Sequence, residues 1–107
     1  MASVESNGTQ TATLTTEHTL VTWSTAGTRV LVVDLTDMAA GDYTEIRIKL
    51  KASSGGSEIL HSLVPFSGAQ AEPLLVSVPI PVGYGGSCSL KQTVGTGRSY
   101  AWHTVRL

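Results

Sequence analysis

The residues in this 107-residue chain best placed for chemistry are Asp34, Asp37 and Asp42. Asp34-Leu35-Thr36-Asp37 followed by Gly41-Asp42 gathers three carboxylates around one turn, and oxygen clusters of that kind hold calcium. The spacing matches no EF-hand loop. Short acidic side chains at a turn also bind their own backbone amides as caps, and that is the preferred reading. The histidines His18, His61 and His103 form no metal-binding motif. His61 and His103 fall among apolar strand residues and read as structural. Cys88 is a lone cysteine without a basic neighbour, so it reads as a small buried hydrophobe. Gly85-Gly86-Ser87-Cys88-Ser89 lacks the last glycine of a nucleophile elbow. No Gly-Lys-Ser/Thr step completes a phosphate loop. Gly95-Thr96-Gly97-Arg98 could bind an anion through its amides and Arg98, but a hairpin turn that needs glycine is the preferred reading. The sequence thus offers no catalytic residue, no metal set and no cofactor site, and the expectation is a non-enzyme.

Composition narrows the rest. Only 14% of residues are charged, against roughly 25% in ordinary domains. Twelve Ser and 14 Thr fill the gap. Mean hydropathy is slightly positive, which argues against disorder. A net charge of −1 argues against a nucleic-acid binder. No apolar run reaches membrane length, and the polar first 20 residues resemble neither a secretory signal nor a transit peptide. Asn7-Gly8-Thr9 fits a glycosylation sequon, which is discounted without such a signal. The charges are polarised along the chain. Six of the seven up to Glu45 are acidic, with Arg29 the exception, whereas Lys91, Arg98 and Arg106 stand alone after Glu72.

These side chains must be positioned by strands, since no segment keeps helical periodicity. Residues 1–10 are expected as an N-terminal arm and residues 11–107 as one domain. Runs rich in β-branched residues occur at Thr11–Thr16, Thr19–Ser24, Thr28–Leu35, Asp42–Ala52, Glu58–Phe66, Leu74–Val78, Ser87–Val94 and Tyr100–Leu107. Thr28–Leu35 is apolar at nearly every position and is expected to be central and buried on both faces. Asp42–Ala52 alternates, with Tyr43, Glu45, Arg47, Lys49 and Lys51 on one face and Thr44, Ile46, Ile48, Leu50 and Ala52 on the other. Ser53-Ser54-Gly55-Gly56 reads as a hairpin connection. Pro79 and Pro81 imply an edge. Gly95–Arg98 is expected to close a final hairpin. The predicted fold is all-β, a two-sheet antiparallel sandwich of seven to eight strands, and the strand pattern does not separate a jelly roll from an immunoglobulin-like winding.

Three blocks of short words then stand out. The first runs through Thr13–Glu17, Ala26-Gly27, Val32–Leu35 and Gly41-Asp42. The second is Glu45–Lys49 with Ser54–Gly56, and the third is Leu90–Trp102. Together they resemble small structural proteins of tailed bacteriophages, over roughly residues 12–107. The resemblance implies a capsid decoration (cement) protein with a jelly-roll-like sandwich, one that sits on the outer capsid surface of the virion and clamps neighbouring major capsid subunits. It implies the major capsid protein as partner, homo-oligomers on the capsid, synthesis in the host cytoplasm, and neither nucleic acid nor membrane as target.

Two alternatives stay open from the residues: a tail or head–tail junction protein of the virion, and a glycan-binding β-sandwich module using Tyr84. Candidate contacts are Ser3, Val4 and Asn7 in the arm, Tyr84 in the Tyr84–Gly86 loop, Arg98 in the Gly95–Arg98 turn, and Arg29 and Arg47 as partners for capsid carboxylates. Tyr84 and Trp102 are candidate aromatic anchors.

Overall fold

The computed structural model describes residues 2–107. Among them are nine β-strands and no helix. These are β1 (Ser3–Thr11), β2 (Glu17–Trp23), β3 (Gly27–Asp34), β4 (Tyr43–Lys51), β5 (Glu58–Ser67), β6 (Leu74–Val76), β7 (Ile80–Val82), β8 (Gly86–Val94) and β9 (Ser99–Arg106). Two antiparallel sheets form. One runs β1-β9-β3-β6 with β7 also on β3, and the other runs β2-β8-β4-β5. Below, these are the five-stranded and the four-stranded sheet.

The winding follows from nested pairs. β4 pairs β5, β3 pairs β6 and β7, β2 pairs β8, and β1 pairs β9. A long hairpin with those pairs, rolled up so that alternate pairs fall in alternate sheets, gives this strand order. The result is a jelly-roll-like sandwich, with nine strands among the described residues against the seven to eight expected from the sequence.

The core is set by strand alternation. On β4, Thr44, Ile46 and Ile48 point inward while Glu45 and Arg47 point out, as the sequence pattern requires. Leu31 and Val33 of β3, Ile80 and Val82 of β7, and Cys88 and Leu90 of β8 fill the space between the sheets. Burial pushes the Cys88 thiol up to about 12, so it packs as a hydrophobe rather than acting as a nucleophile.

Several sequence expectations are corrected. The segment expected as an arm is folded into the domain as edge strand β1, in register with β9 from Ser3 opposite Arg106 to Thr11 opposite Ser99. Polar alternation on a one-sided edge strand gives no hydrophobic signal to read. Thr11–Thr16 is not a strand. β1 ends at Thr11, and Thr15 takes the left-handed conformation (φ 66°) in the turn that follows. Leu74–Val78 shortens to β6, and the segment bearing Pro79 and Pro81 breaks off as β7. β3 is central, but its second face is only half-buried, with Val30 and Val32 outward. The final hairpin is absent: β8 and β9 lie in different sheets.

The Gly95–Arg98 segment therefore crosses between the sheets and is held by side chains. Gly95 has φ 98°, and a side chain there would collide with Asp42. A side chain at Gly97 would strike the Ala12 carbonyl. Gln92 donates to the Val94 and Thr96 carbonyls (3.1 and 2.7 Å) and accepts from the Arg98 amide. The buried Tyr100 hydroxyl donates to Gln92 and accepts from Thr44, tying β9 to β8 and β4 across the core.

Candidate interaction surfaces

The three carboxylates of the turn do not converge. Asp34 caps the Thr36 amide at 2.9 Å and takes the Thr36 hydroxyl, and these two bonds hold its carboxyl below the usual range. Asp37 is exposed. Asp42 is buried and accepts from the Ala39 amide (2.9 Å), the Thr96 amide (3.2 Å) and Arg98 Nε (2.8 Å). Led by the Ala39 bond, these contacts hold its carboxyl low against the cost of burial. Both residues bind amides, in line with the capping reading. Among the described residues no group of three or more His, Cys, Asp or Glu could hold a metal ion. His18 accepts the Thr13 amide through Nε2, His61 is exposed on β5, and His103 is half-buried on β9.

All three candidate arginines form ion pairs within the fold, although Arg47 Nε is buried without a hydrogen-bond partner. Arg29 is corrected from a surface contact to a core residue. It is 1% exposed, holds Glu5 of β1 through two hydrogen bonds (2.7 and 3.2 Å), donates to the Gly27 carbonyl and lies over the Trp23 ring. Its charge fastens the edge strand and is closed to a partner. Arg98 donates to Asp42 through Nε while 30% of its side chain stays exposed. Arg47 donates to Glu17 (3.1 Å) and Glu45 (2.7 Å). Ser3, Val4, Asn7 and Tyr84 are exposed, and Trp102 is half-buried with its ring against Gly8. The structure does not bring Tyr84 and the β1 residues into one site.

The outer faces of the two sheets differ in kind. The four-stranded sheet carries Glu17, Glu45, Arg47, Lys49, Lys51 and Lys91 on its outside by register. Glu17 is the hub. It accepts from Arg47 and Lys49 (2.9 Å) and from the Ser89 hydroxyl (2.6 Å). Those bonds, Lys49 first, lower its carboxyl to about 2. The sequence pattern placed the β4 charges on one face but gave no means of knowing that β2 would supply their counter-ion two strands away.

The five-stranded sheet presents valines instead. Val30 lies opposite Val105, which lies opposite Val4, and Val32 lies between Val76 and His103. Ala101, Thr28, Asn7 and Thr9 complete the face by alternation. Asp34 at one end is the only ionised group that alternation places there. The near-continuous apolar run of β3 was the signal for this face: such a run belongs to a strand covered on both sides. In the single chain only one side is covered.

A third region is the flank where β5 and β6 form the open side of the sandwich. A groove of about 220 Å³ lies there between Ser62 and Val64 of β5 and the segment Leu75–Val78, with Ile46 and Ile48 as its floor. A polar hollow of about 150 Å³ occupies the opposite side near Glu5, Trp23 and Arg29. Its guanidinium is already taken by Glu5 and Gly27. No helix among the described residues is long and apolar enough to cross a membrane.

No family model, curated protein or solved structure matches the chain.

Proposed function

We propose that this chain is a bacteriophage capsid decoration (cement) protein that lies on the outer capsid lattice through the outer face of its five-stranded sheet. The support for this reading is the asymmetry of the two faces. One face gathers charge into a network centred on Glu17, with Lys51 and Lys91 outside its ion pairs, as a surface left in water does. The other is a valine-paved sheet with Asp34 as the one ionised group that alternation places there, and its own fold leaves it half-covered. Burying such a face against a major capsid subunit removes apolar area from water at little electrostatic cost. Jelly-roll sandwiches recur among viral capsid domains, and this chain shares their fold class. The words that resemble phage structural proteins lie in both sheets. Many copies on one particle would add weak contacts into firm attachment. Binding only the mature lattice would stabilise that state by mass action.

The test is mass spectrometry and cryo-EM of purified virions from the phage that encodes the chain. Hundreds of copies per particle on the shell are expected, with the five-stranded sheet facing the capsid. A handful of copies, or a ring, would move the protein to the tail or the head–tail junction. Absence from the particle would overturn the virion reading altogether.

A further inference from the structure

We propose that a second copy of this chain docks on the β5 flank. The two β5 strands would pair antiparallel across a two-fold axis and join two four-stranded sheets into one of eight strands. This does not depend on the virion reading.

β5 is the long edge that the fold leaves unprotected. It has ten residues and pairs β4 on one side only. The other edges are blunted in familiar ways. β6 and β7 have three residues each, and β7 contains Pro81. β1 and β2 present Glu5, Asn7, Thr9, Glu17 and Thr19 among their side chains. β5 instead exposes Ile59, Leu60, Leu63 and Val64, at 61, 50, 40 and 39%. Because its side chains alternate, apolar groups lie on both faces of the same edge. An exposed, long, apolar edge strand calls for a partner. Pro65 lacks an N–H, which confines pairing to the Glu58–Val64 end.

Charge selects a second copy as that partner. A two-fold contact sets each residue near its own symmetry mate, so a charged strip would face like charge. From Ile59 to Leu90 the only Asp, Glu, Lys or Arg is Glu72. All 14 other such residues lie outside that stretch. Glu58 opens the pairing segment, and an antiparallel register centred on His61 sets it opposite Val64 of the second copy, so a copy of the same flank brings no like charges directly opposite each other.

Five of the 12 large exposed hydrophobics border this edge: Ile59, Leu60, Leu63 and Val64 on β5, and Val78 in the groove beside it. Leu74 and Val76 lie opposite Asp34 and Val32 and belong to the outer face of the other sheet. The five expose on the order of 400 Å², within the range of a monomer's largest patch, so backbone pairing along the edge must supply much of the contact. Antiparallel pairing of β5 would add backbone hydrogen bonds and cover the mouth of the groove at Ser62 and Val64.

Sedimentation equilibrium of the purified full chain tests this. A dimer is expected at about 100 µM protein. Leu60→Lys and Leu63→Lys change exposed side chains, so far-UV circular dichroism and the thermal midpoint should show an intact fold. Each should weaken the dimer at least tenfold. Val32→Lys, on the outer face of the other sheet, should leave the dimer unchanged. A monomer at every concentration would overturn the proposal. So would a dimer indifferent to both leucine changes, or one lost on Val32→Lys instead. None of these measurements involves a capsid, so the outcome is separate from that of the virion reading.

Discussion

The outer face of the four-stranded sheet and the outer face of the five-stranded sheet are built by opposite rules. The first concentrates charge around a shared acceptor, with Glu17 bridging Arg47, Lys49 and Ser89 across three strands. The second has almost no charge and presents Val4, Val30, Val32, Val76 and Val105. Stability and binding should therefore separate. Changes on the charged face should be felt by the fold. Changes on the valine face should be felt by a partner.

The strongest way to stress the self-satisfied polar half is at its buried end. Asp42→Ala removes the acceptor for two amides and for Arg98, and leaves those donors in a confined place. The expected loss is about 2–3 kcal/mol, set by the two amides that lose their acceptor, because the Arg98 side chain is 30% exposed and can turn to water. Urea unfolding would measure it. A loss below ~1 kcal/mol would mean that the crossing segment is held by Gln92 and the glycines instead.

Glu17 is the next test. Glu17→Ala strands the Ser89 hydroxyl, which belongs to a residue only 2% exposed, and leaves Arg47 and Lys49 side by side. A loss of about 1–2 kcal/mol is expected, since a partly exposed network contributes less than a buried one. Its pH dependence has a definite sign. The folded carboxyl lies at about 2, lowered from 4.5. The stabilisation is therefore complete above pH 4.5 and fades as pH falls from 4.5 towards 2, because the unfolded chain takes up the proton first. Glu17→Gln should flatten that part of the stability profile while leaving the slope due to other carboxylates. An unchanged profile would show that the hub contributes nothing to folding.

The sequence made the sandwich legible because most of its strands announce themselves. β4 alternates, β5 follows a glycine turn, and prolines mark the β6–β7 edge. What stayed hidden was pairing between distant segments. Glu5 and Arg29 are 24 positions apart and Arg98 and Asp42 are 56 apart, so the arginines looked free when they were not. β1 lacked a hydrophobic face and read as an arm. Gly95–Arg98 has the composition of a hairpin turn, and only the winding of the sheets makes it a crossing. The one surface signal that the sequence did carry was the apolar run Thr28–Leu35. It implies cover on both sides, and the single chain supplies one.

That unmet half of the β3 pattern gives the comparison its finest test. Val32→Lys places a charge amid the valine face, where its long stem can lie along Val76 and its ammonium can reach water. Surface changes of this kind normally stay within about 0.5 kcal/mol, so the fold should hardly register it. If the face is the docking surface, the same change should abolish binding to capsid shells stripped of the protein, read by co-sedimentation. The desolvated ammonium would have no counter-charge there, and buried unpaired charge is among the costliest errors at an interface. Lys91→Ala on the charged face is the control and should bind as the parent does. Should Val32→Lys bind shells normally while Lys91→Ala fails, the roles of the two faces would be reversed, and the half-covered run of β3 would be a feature of sheet packing alone.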